Sequence, residues 1–140
     1  MWEVANAVIE VNGGDYIIAG YSNSPGISSG NTDMFLIKIN PNGDLIWKKS
    51  YGNRAFPNHE WAYDIAQIFD GGFILAGSRD RYGEGSKNAL VIRLDDQGNK
   101  IWEKEFIDGE NQVSEIIYSV SVSIDGSIYL CSSINSSSSV

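Results

Sequence analysis

The sequence predicts an all-β protein built from a repeated four-stranded unit, and three observations predict it. The stretch FLIKINPNGDLIW, Phe35 to Trp47, returns as LVIRLDDQGNKIW, Leu90 to Trp102; Phe35/Leu90, Gly43/Gly98 and Trp47/Trp102 each lie 55 residues apart. A second segment, Glu3 to Tyr21, returns as Glu60 to Ser78 at a spacing of 57, and in more diverged form as Glu115 to Ser133, 55 further on. The apolar runs in all copies are short, rich in β-branched and aromatic residues, and bounded by glycine turns, which suits strands and not helices.

Taken in order, the first unit holds four strands, roughly Ala5–Val11, Tyr16–Tyr21, Met34–Ile39 and Leu45–Tyr51. Ala5, Val8 and Val11 are spaced by three, as on a helix, but the segment is short and runs straight into Asn12-Gly13-Gly14-Asp15, so it is read as a strand. Asn40-Pro41-Asn42-Gly43 carries the residues of a hairpin turn with a glycine bulge, proline presetting the first central position and glycine taking the left-handed one. On the return strand, period two places Leu45, Trp47, Lys49 and Tyr51 on one face. The second unit keeps each device, with Asp95-Asp96-Gln97-Gly98 as the turn and Trp102 and Phe106 as the large rings. The third keeps Asp125-Gly126, and Cys131 falls where Ala19 and Ala76 stand.

Repeat one therefore spans about residues 3–59, repeat two about 60–114, and a partial third 115–140. The two middle strands of each unit are apolar on both faces and the outer ones alternate. A sheet whose neighbours are copies of itself satisfies that pattern, which is how the blades of a β-propeller stack. The chain holds about two and a half such blades. Closure takes typically 4–8 blades, roughly 220–450 residues at this repeat length, so the expectation is an open arc cut from a larger protein or a truncated reading frame, with apolar surface left on its outer faces.

Composition narrows the function classes. Ten Lys and Arg against 18 Asp and Glu give a net charge of −8. With no basic cluster this argues against a nucleic-acid partner. No apolar run approaches a membrane span, and MWEVANAVIEV lacks the parts of a signal peptide, so a secreted parent would carry its signal elsewhere. The single cysteine, Cys131, makes no internal disulfide and lies in an apolar strand pattern that suits a buried, inert thiol. The single histidine, His59, has no repeated counterpart and receives no role. The turn oxygens of Asn40, Asn42 and Asp44 become Asp95, Gln97 and Asn99 in the second copy; drift of this kind is turn chemistry and not a calcium loop, which needs about six oxygens at fixed positions. No catalytic residues, metal ligands or cofactor are assigned. The variable loops between hairpins, Ser22 to Thr32 and Arg79 to Lys87, are where a repeated scaffold usually binds, and the tail from Asn135 to Val140 is read as frayed.

The pair GGFILAGS and ALVIRLDDQGNKIWEKEF resembles the repeat of secreted bacterial and archaeal β-propeller proteins. The pattern Asp95, Gln97, Gly98, Trp102, with Asn40, Gly43, Trp47 as the weaker copy, also resembles the tryptophan-docking repeat of quinoprotein (PQQ-type) propellers. The resemblance implies that each tryptophan docks on a neighbouring blade near a small-residue pair, Ala19-Gly20 or Ala76-Gly77. It also implies an extracellular or cell-surface location, with further propeller blades of a parent chain as partners and a protein or glycan as ligand. The structural positions it singles out are Gly20, Gly43, Trp47, Gly77, Gly98 and Trp102. The function expected is a non-catalytic scaffold or binding segment; the alternative is a fragment of a propeller enzyme, quinoprotein-like or glycan-active, whose catalytic residues lie outside this chain. A buried Trp47 makes Trp47→Ala cost about 3–5 kcal/mol. The same change at Trp2, outside the repeat, should cost much less, and equal shifts in thermal midpoint would contradict the docking role.

Overall fold

Five hairpins among the described residues close with the same turn. The computed structural model describes residues 2–24, 31–52, 58–81, 85–107 and 113–136. In each hairpin the residue opening the turn donates its N–H to the carbonyl four residues on, and the fourth residue donates back. The pairs are Val11/Asp15 with Gly14, Asn40/Asp44 with Gly43, Ile68/Gly72 with Gly71, Asp95/Asn99 with Gly98 and Ser123/Ser127 with Gly126. The fourth residue is always a glycine with φ between 74° and 88°, the left-handed conformation that completes a type I turn with a glycine bulge.

These turns join ten strands: β1 Glu3–Glu10, β2 Tyr16–Ser22, β3 Asp33–Ile39, β4 Leu45–Tyr51, β5 Asn58–Gln67, β6 Phe73–Arg81, β7 Lys87–Leu94, β8 Lys100–Phe106, β9 Val113–Val122 and β10 Ile128–Ser136. The strands expected for the first unit appear within two residues of their expected ends. All pairing is antiparallel and sequential, in sheets ordered β1-β2-β3-β4, β5-β6-β7-β8 and β10-β9. No helix occurs among the described residues. The stretches expected to hold binding loops fall partly outside the described residues, at 25–30 and 82–84, as does most of the expected frayed tail, at 137–140.

The sheets stack face to face. Strand β5 packs on β1, β2 and β3, and β9 packs on β5, β6 and β7. Between the first and second sheets lies a core of Val11, Ile17, Ala19, Met34, Leu36 and Tyr51 against Ala62, Ile65, Phe73, Leu75, Leu90, Ile92 and Leu94. Between the second and third lies a smaller core of Ile74, Ala76, Ala89 and Val91 against Ile117 and Val120. The second sheet is covered on both sides, and for that reason β6 and β7 read as unbroken apolar runs.

The repeat extends to its irregularities. Each first strand carries a bulge at the same position: Asn6 in β1, Tyr63 in β5 and Tyr118 in β9. A bulge inserts one residue and turns the period of two into a step of three. Ala62 and Ile65 thereby share the buried face, and Ala5 and Val8 share the exposed face of the first sheet for the same reason; no bulge follows Val8, so Val11 lies on the opposite, buried side. The fourth strands carry a second repeated bulge, at Ile46 and Ile101. It corrects one expectation: Leu45 pairs with Ile39 while Trp47 pairs with Lys38, so Leu45 lies on the face opposite Trp47, Lys49 and Tyr51, and it is exposed.

Gly20 and Gly77 stand opposite the first bulge, where a carbonyl of the first strand comes close. A Cβ at Gly20 would stand 2.0 Å from the carbonyl oxygen of Val4, and one at Gly77 1.8 Å from that of Trp61. Backbone this close admits no side chain.

The outer faces are open. Val8, Leu45 and Ile46 are exposed on the first sheet, and Ile128, Tyr129, Leu130 and Ile134 on the third. Cys131, expected to be buried, is exposed. Its counterpart Ala76 is covered by β9, whereas Cys131 lies on the outward face of the third sheet. Ser119 and Ser121 stand where the second sheet has Asp64 and Ala66. Gly77→Ala should lose about 1–3 kcal/mol in chemical denaturation through overpacking, while Val8→Ala, on the exposed face, should change little; comparable losses would contradict the close approach.

Candidate functional site

Two places bring chemically useful side chains together across the repeats: the seam between the first two sheets, and the line of bulges along β1, β5 and β9.

The seam is built by Trp47, Lys49 and Tyr51, which β4 projects toward the second sheet. The turn between β7 and β8 receives them. A Cβ at Gly98 would lie 3.0 Å from the Trp47 ring and 3.2 Å from the Tyr51 hydroxyl; Tyr51 donates to the Gly98 carbonyl at 2.8 Å and Lys49 Nζ to Asn99 Oδ1 at 2.6 Å. Burial, with Asp95 nearby, pushes the Tyr51 phenol well above its ordinary value, so it stays a donor. Beside these contacts runs an open cleft of about 400 Å³ lined by Lys49, Tyr51, Gly98, Asn99 and Lys100.

The tryptophan seat thus differs from the one implied by resemblance. The ring edge meets Gly98, whereas Gly77 faces the Trp61 carbonyl and Met34, and Ala76 belongs to the core on the other side of its sheet. Gly43, the counterpart of Gly98, has nothing within 4 Å of where a Cβ would stand. Trp102 repeats the position of Trp47 but is 42% exposed, because no glycine turn lies against it among the described residues.

The turn oxygens expected to serve the backbone do so. Asn40 Oδ1 accepts from the N–H groups of Asn42 and Asp44, and Asp95 Oδ1 from those of Gln97 and Asn99. Asn40 Nδ2 donates to Asp44 Oδ2 at 3.0 Å, and Asn99 Nδ2 to Asp95 Oδ2 at 2.8 Å. Amide and carboxylate have exchanged ends, and one bond is kept with its donor and acceptor reversed. Among the described residues no group of three or more His, Cys, Asp and Glu is placed to hold a metal ion.

At one end of the seam the guanidinium of Arg79, buried on β6, gathers three carboxylates. It bonds Glu60 at 2.9 Å and Glu103 and Glu105 at 3.1 Å each. Asn88 Nδ2 donates to Glu105 at 2.7 Å, and Lys100 pairs with Glu103 at 2.6 Å. Burial alone would lower Arg79, but Glu103, Glu60 and Glu105 outweigh it and hold the guanidinium above its ordinary value. For Glu103 burial acts to raise the carboxyl, and Lys100 and Arg79 together bring it below its ordinary 4.5. Nearby, His59 Nδ1 accepts from the Thr32 N–H at 3.1 Å and the Glu60 N–H donates to the Thr32 carbonyl at 2.7 Å. The histidine without a repeated role therefore ties the second sheet to the chain entering the first sheet's second hairpin.

The line of bulges carries aromatic rings. Tyr63 and Tyr118 are the bulged residues of β5 and β9, with ring centroids 5.3 Å apart. Tyr21 of β2 meets Tyr63 at 6.2 Å, and Trp2 meets Tyr21 edge-on at 5.4 Å. Four rings from three sheets thus form one run, with Trp2 and Tyr118 nearly half exposed at its ends. Burial, chiefly, raises the Tyr63 phenol above its ordinary value. In the first unit the bulged residue is Asn6, whose Nδ2 donates to the Ala62 carbonyl at 2.7 Å. Asp64 Oδ2 accepts from Ser119 Oγ and the Val120 N–H, both at 2.9 Å, tying β5 to β9. Sequence reasoning passed over this run; the signal was Tyr63 and Tyr118 at the repeat spacing of 55, one residue inside an apolar step of three.

The chain matches no protein-family model and no curated protein. Among the described residues no helix is long and apolar enough to cross a membrane.

Arg79→Met removes the cation bonded to the fully buried Glu60 and should cost about 3–5 kcal/mol at pH 7. Because Glu103 is held below 4.5, its contribution is complete above that pH and is lost as the carboxyl protonates in acid. Denaturation between pH 7 and pH 3 should therefore show the parent protein weakening and the gap to Arg79→Met narrowing; a gap independent of pH would contradict the network.

Proposed function

We propose that the chain is a segment of a β-propeller that serves as a non-catalytic binding scaffold, outside the cell or at its surface, with further blades as its structural partners. The observation that supports this reading is the contrast between two equivalent tryptophans. Trp47 sits on the Gly98 turn of the next sheet, whereas Trp102, at the same repeat position and facing the same way, lies open beside a third sheet of two strands. A second hairpin following β10 would complete that sheet to four strands and bring a glycine turn onto Trp102. Edge strands such as β10 present unpaired backbone groups suited to that addition.

The supporting architecture is repeated, with the strand order and the hairpin turns kept from unit to unit. That is the arrangement in which a scaffold carries recognition on its surface.

The test is an extended protein in which a copy of residues 82–107 follows residue 136. The reading expects Trp102 to become shielded from acrylamide quenching and the thermal midpoint to rise. An extended protein in which Trp102 quenches as before would overturn it. Screening the extended protein for binding and turnover on a glycan panel, with and without calcium and PQQ, separates a binding scaffold from an enzyme: turnover would overturn the non-catalytic reading.

A further inference from the structure

We infer that the aromatic run along the bulged strands is a binding ledge for a basic, lysine-bearing peptide segment in extended conformation. This deepens the scaffold reading and rests on it.

Three observations converge. The first is the distribution of charge. The ten Lys and Arg residues of the chain fall at 38, 48, 49, 54, 79, 81, 87, 93, 100 and 104, so none lies on β1, β2, β5, β9 or β10. The three bulged strands carry five acidic residues, Glu3, Glu10, Glu60, Asp64 and Glu115. The first strands thus carry acidic groups without Lys or Arg, whereas the fourth strands carry lysines, accompanied on β8 by Glu103 and Glu105. The strands that form the bulge line contribute carboxylates and no Lys or Arg, in a protein whose net charge is −8; of those carboxylates Glu60 is buried against Arg79, and Lys87 of β7 reaches the Trp61 ring of β5.

The second observation is which rings already hold a cation. Lys49 lies over Trp47, Lys87 over Trp61 at 4.2 Å and Lys104 over Phe106. The rings of Trp2, Tyr21, Tyr63 and Tyr118 have no such cap among the described residues. Aromatic faces flanked by carboxylates attract an ammonium group through the ring quadrupole.

The third is shape. The rings are mutually inclined, at 84°, 68° and 48°, and so offer successive notches where a flat platform for planar rings would need parallel faces. Their centroids are 5.3 to 6.2 Å apart, close to the roughly 6.5 Å between alternate side chains of an extended peptide. Bulges are a device for re-aiming a side chain out of its sheet, and here they do so at one repeat position in two consecutive units.

The experiment titrates the intact chain with tetralysine amide in low salt, following tyrosine and tryptophan fluorescence and heat. Tyr118 is 49% exposed, so its replacement need not disturb folding. Tyr118→Ala should weaken binding about fivefold or more, while Tyr118→Phe, which keeps the ring face, should bind nearly as the parent does. Tyr129→Ala, an exposed tyrosine outside the run, should change nothing. Equal affinity in all variants would mean diffuse attraction by net charge and would overturn the ledge. Spermidine binding as tightly as the peptide would overturn the preference for an extended chain. A neutral oligosaccharide that binds through Tyr118 where tetralysine does not would overturn the cationic ligand while leaving the scaffold reading intact, since that reading is decided separately by the shielding of Trp102.

Discussion

The structure depends on one constraint: no sheet in this protein can cover its own faces. The first two are short meanders whose two middle strands are apolar on both sides, the third is a single hairpin, and any of them alone would leave both faces in water. Stacking removes the cost, and the second sheet, packed between the first and third, is where the largest fully buried side chains gather, Phe73, Ile74, Leu75, Leu90, Ile92 and Leu94 among them. At roughly 1.5–3 kcal/mol for each such side chain taken from water, this burial outweighs the single hydrogen bonds at the seam, each worth about 1 kcal/mol. Those bonds select the register in which the sheets meet. Tyr51 on the Gly98 carbonyl and Lys49 on Asn99 are satisfied in one register only.

The seam also explains why glycine recurs where it does. At Gly98 two demands coincide: the turn needs a left-handed residue, and the neighbouring tryptophan needs room. At Gly20 and Gly77 the demand comes from a carbonyl of the first strand, which comes close opposite the bulge. In the first two units the glycine repeats with the bulge, whereas the third carries the same bulge with Ser132 at that position, the register slipping between Cys131 and Ser132; glycine is therefore demanded by how close the carbonyl comes in the first two sheets and not by the bulge alone.

Much of the fold was legible in the sequence because its units are copies, and a copy exposes which features are required. The strands, the glycine-bulge turns and the identity of the seam tryptophan followed from spacing alone. Four things did not. The bulges at Ile46 and Ile101 moved Leu45 to the opposite face, and a strict period of two has no means of registering an inserted residue. Cys131 reads as buried by analogy with Ala76, but burial belongs to the neighbouring sheet and not to the strand. The partner of Trp47 lies 51 residues away at Gly98, a contact set by how sheets stack. The aromatic run was missed because its members occupy different repeat positions: Tyr63 and Tyr118 are equivalent, while Tyr21 and Trp2 come from elsewhere, and only the stacking of three sheets lines them up.

The first two sheets engage through direct contact between Trp47 and the Gly98 turn, and a double-mutant cycle measures it. Gly98→Ala introduces backbone strain in any background, but its Cβ meets the ring only when Trp47 is present. Measured by denaturation, Gly98→Ala should therefore cost distinctly more beside Trp47 than beside Trp47→Ala, with a coupling of about 1 kcal/mol or more, within the range usual for residues in contact. A coupling indistinguishable from zero would place the ring away from the turn and contradict the way the sheets are held here to engage.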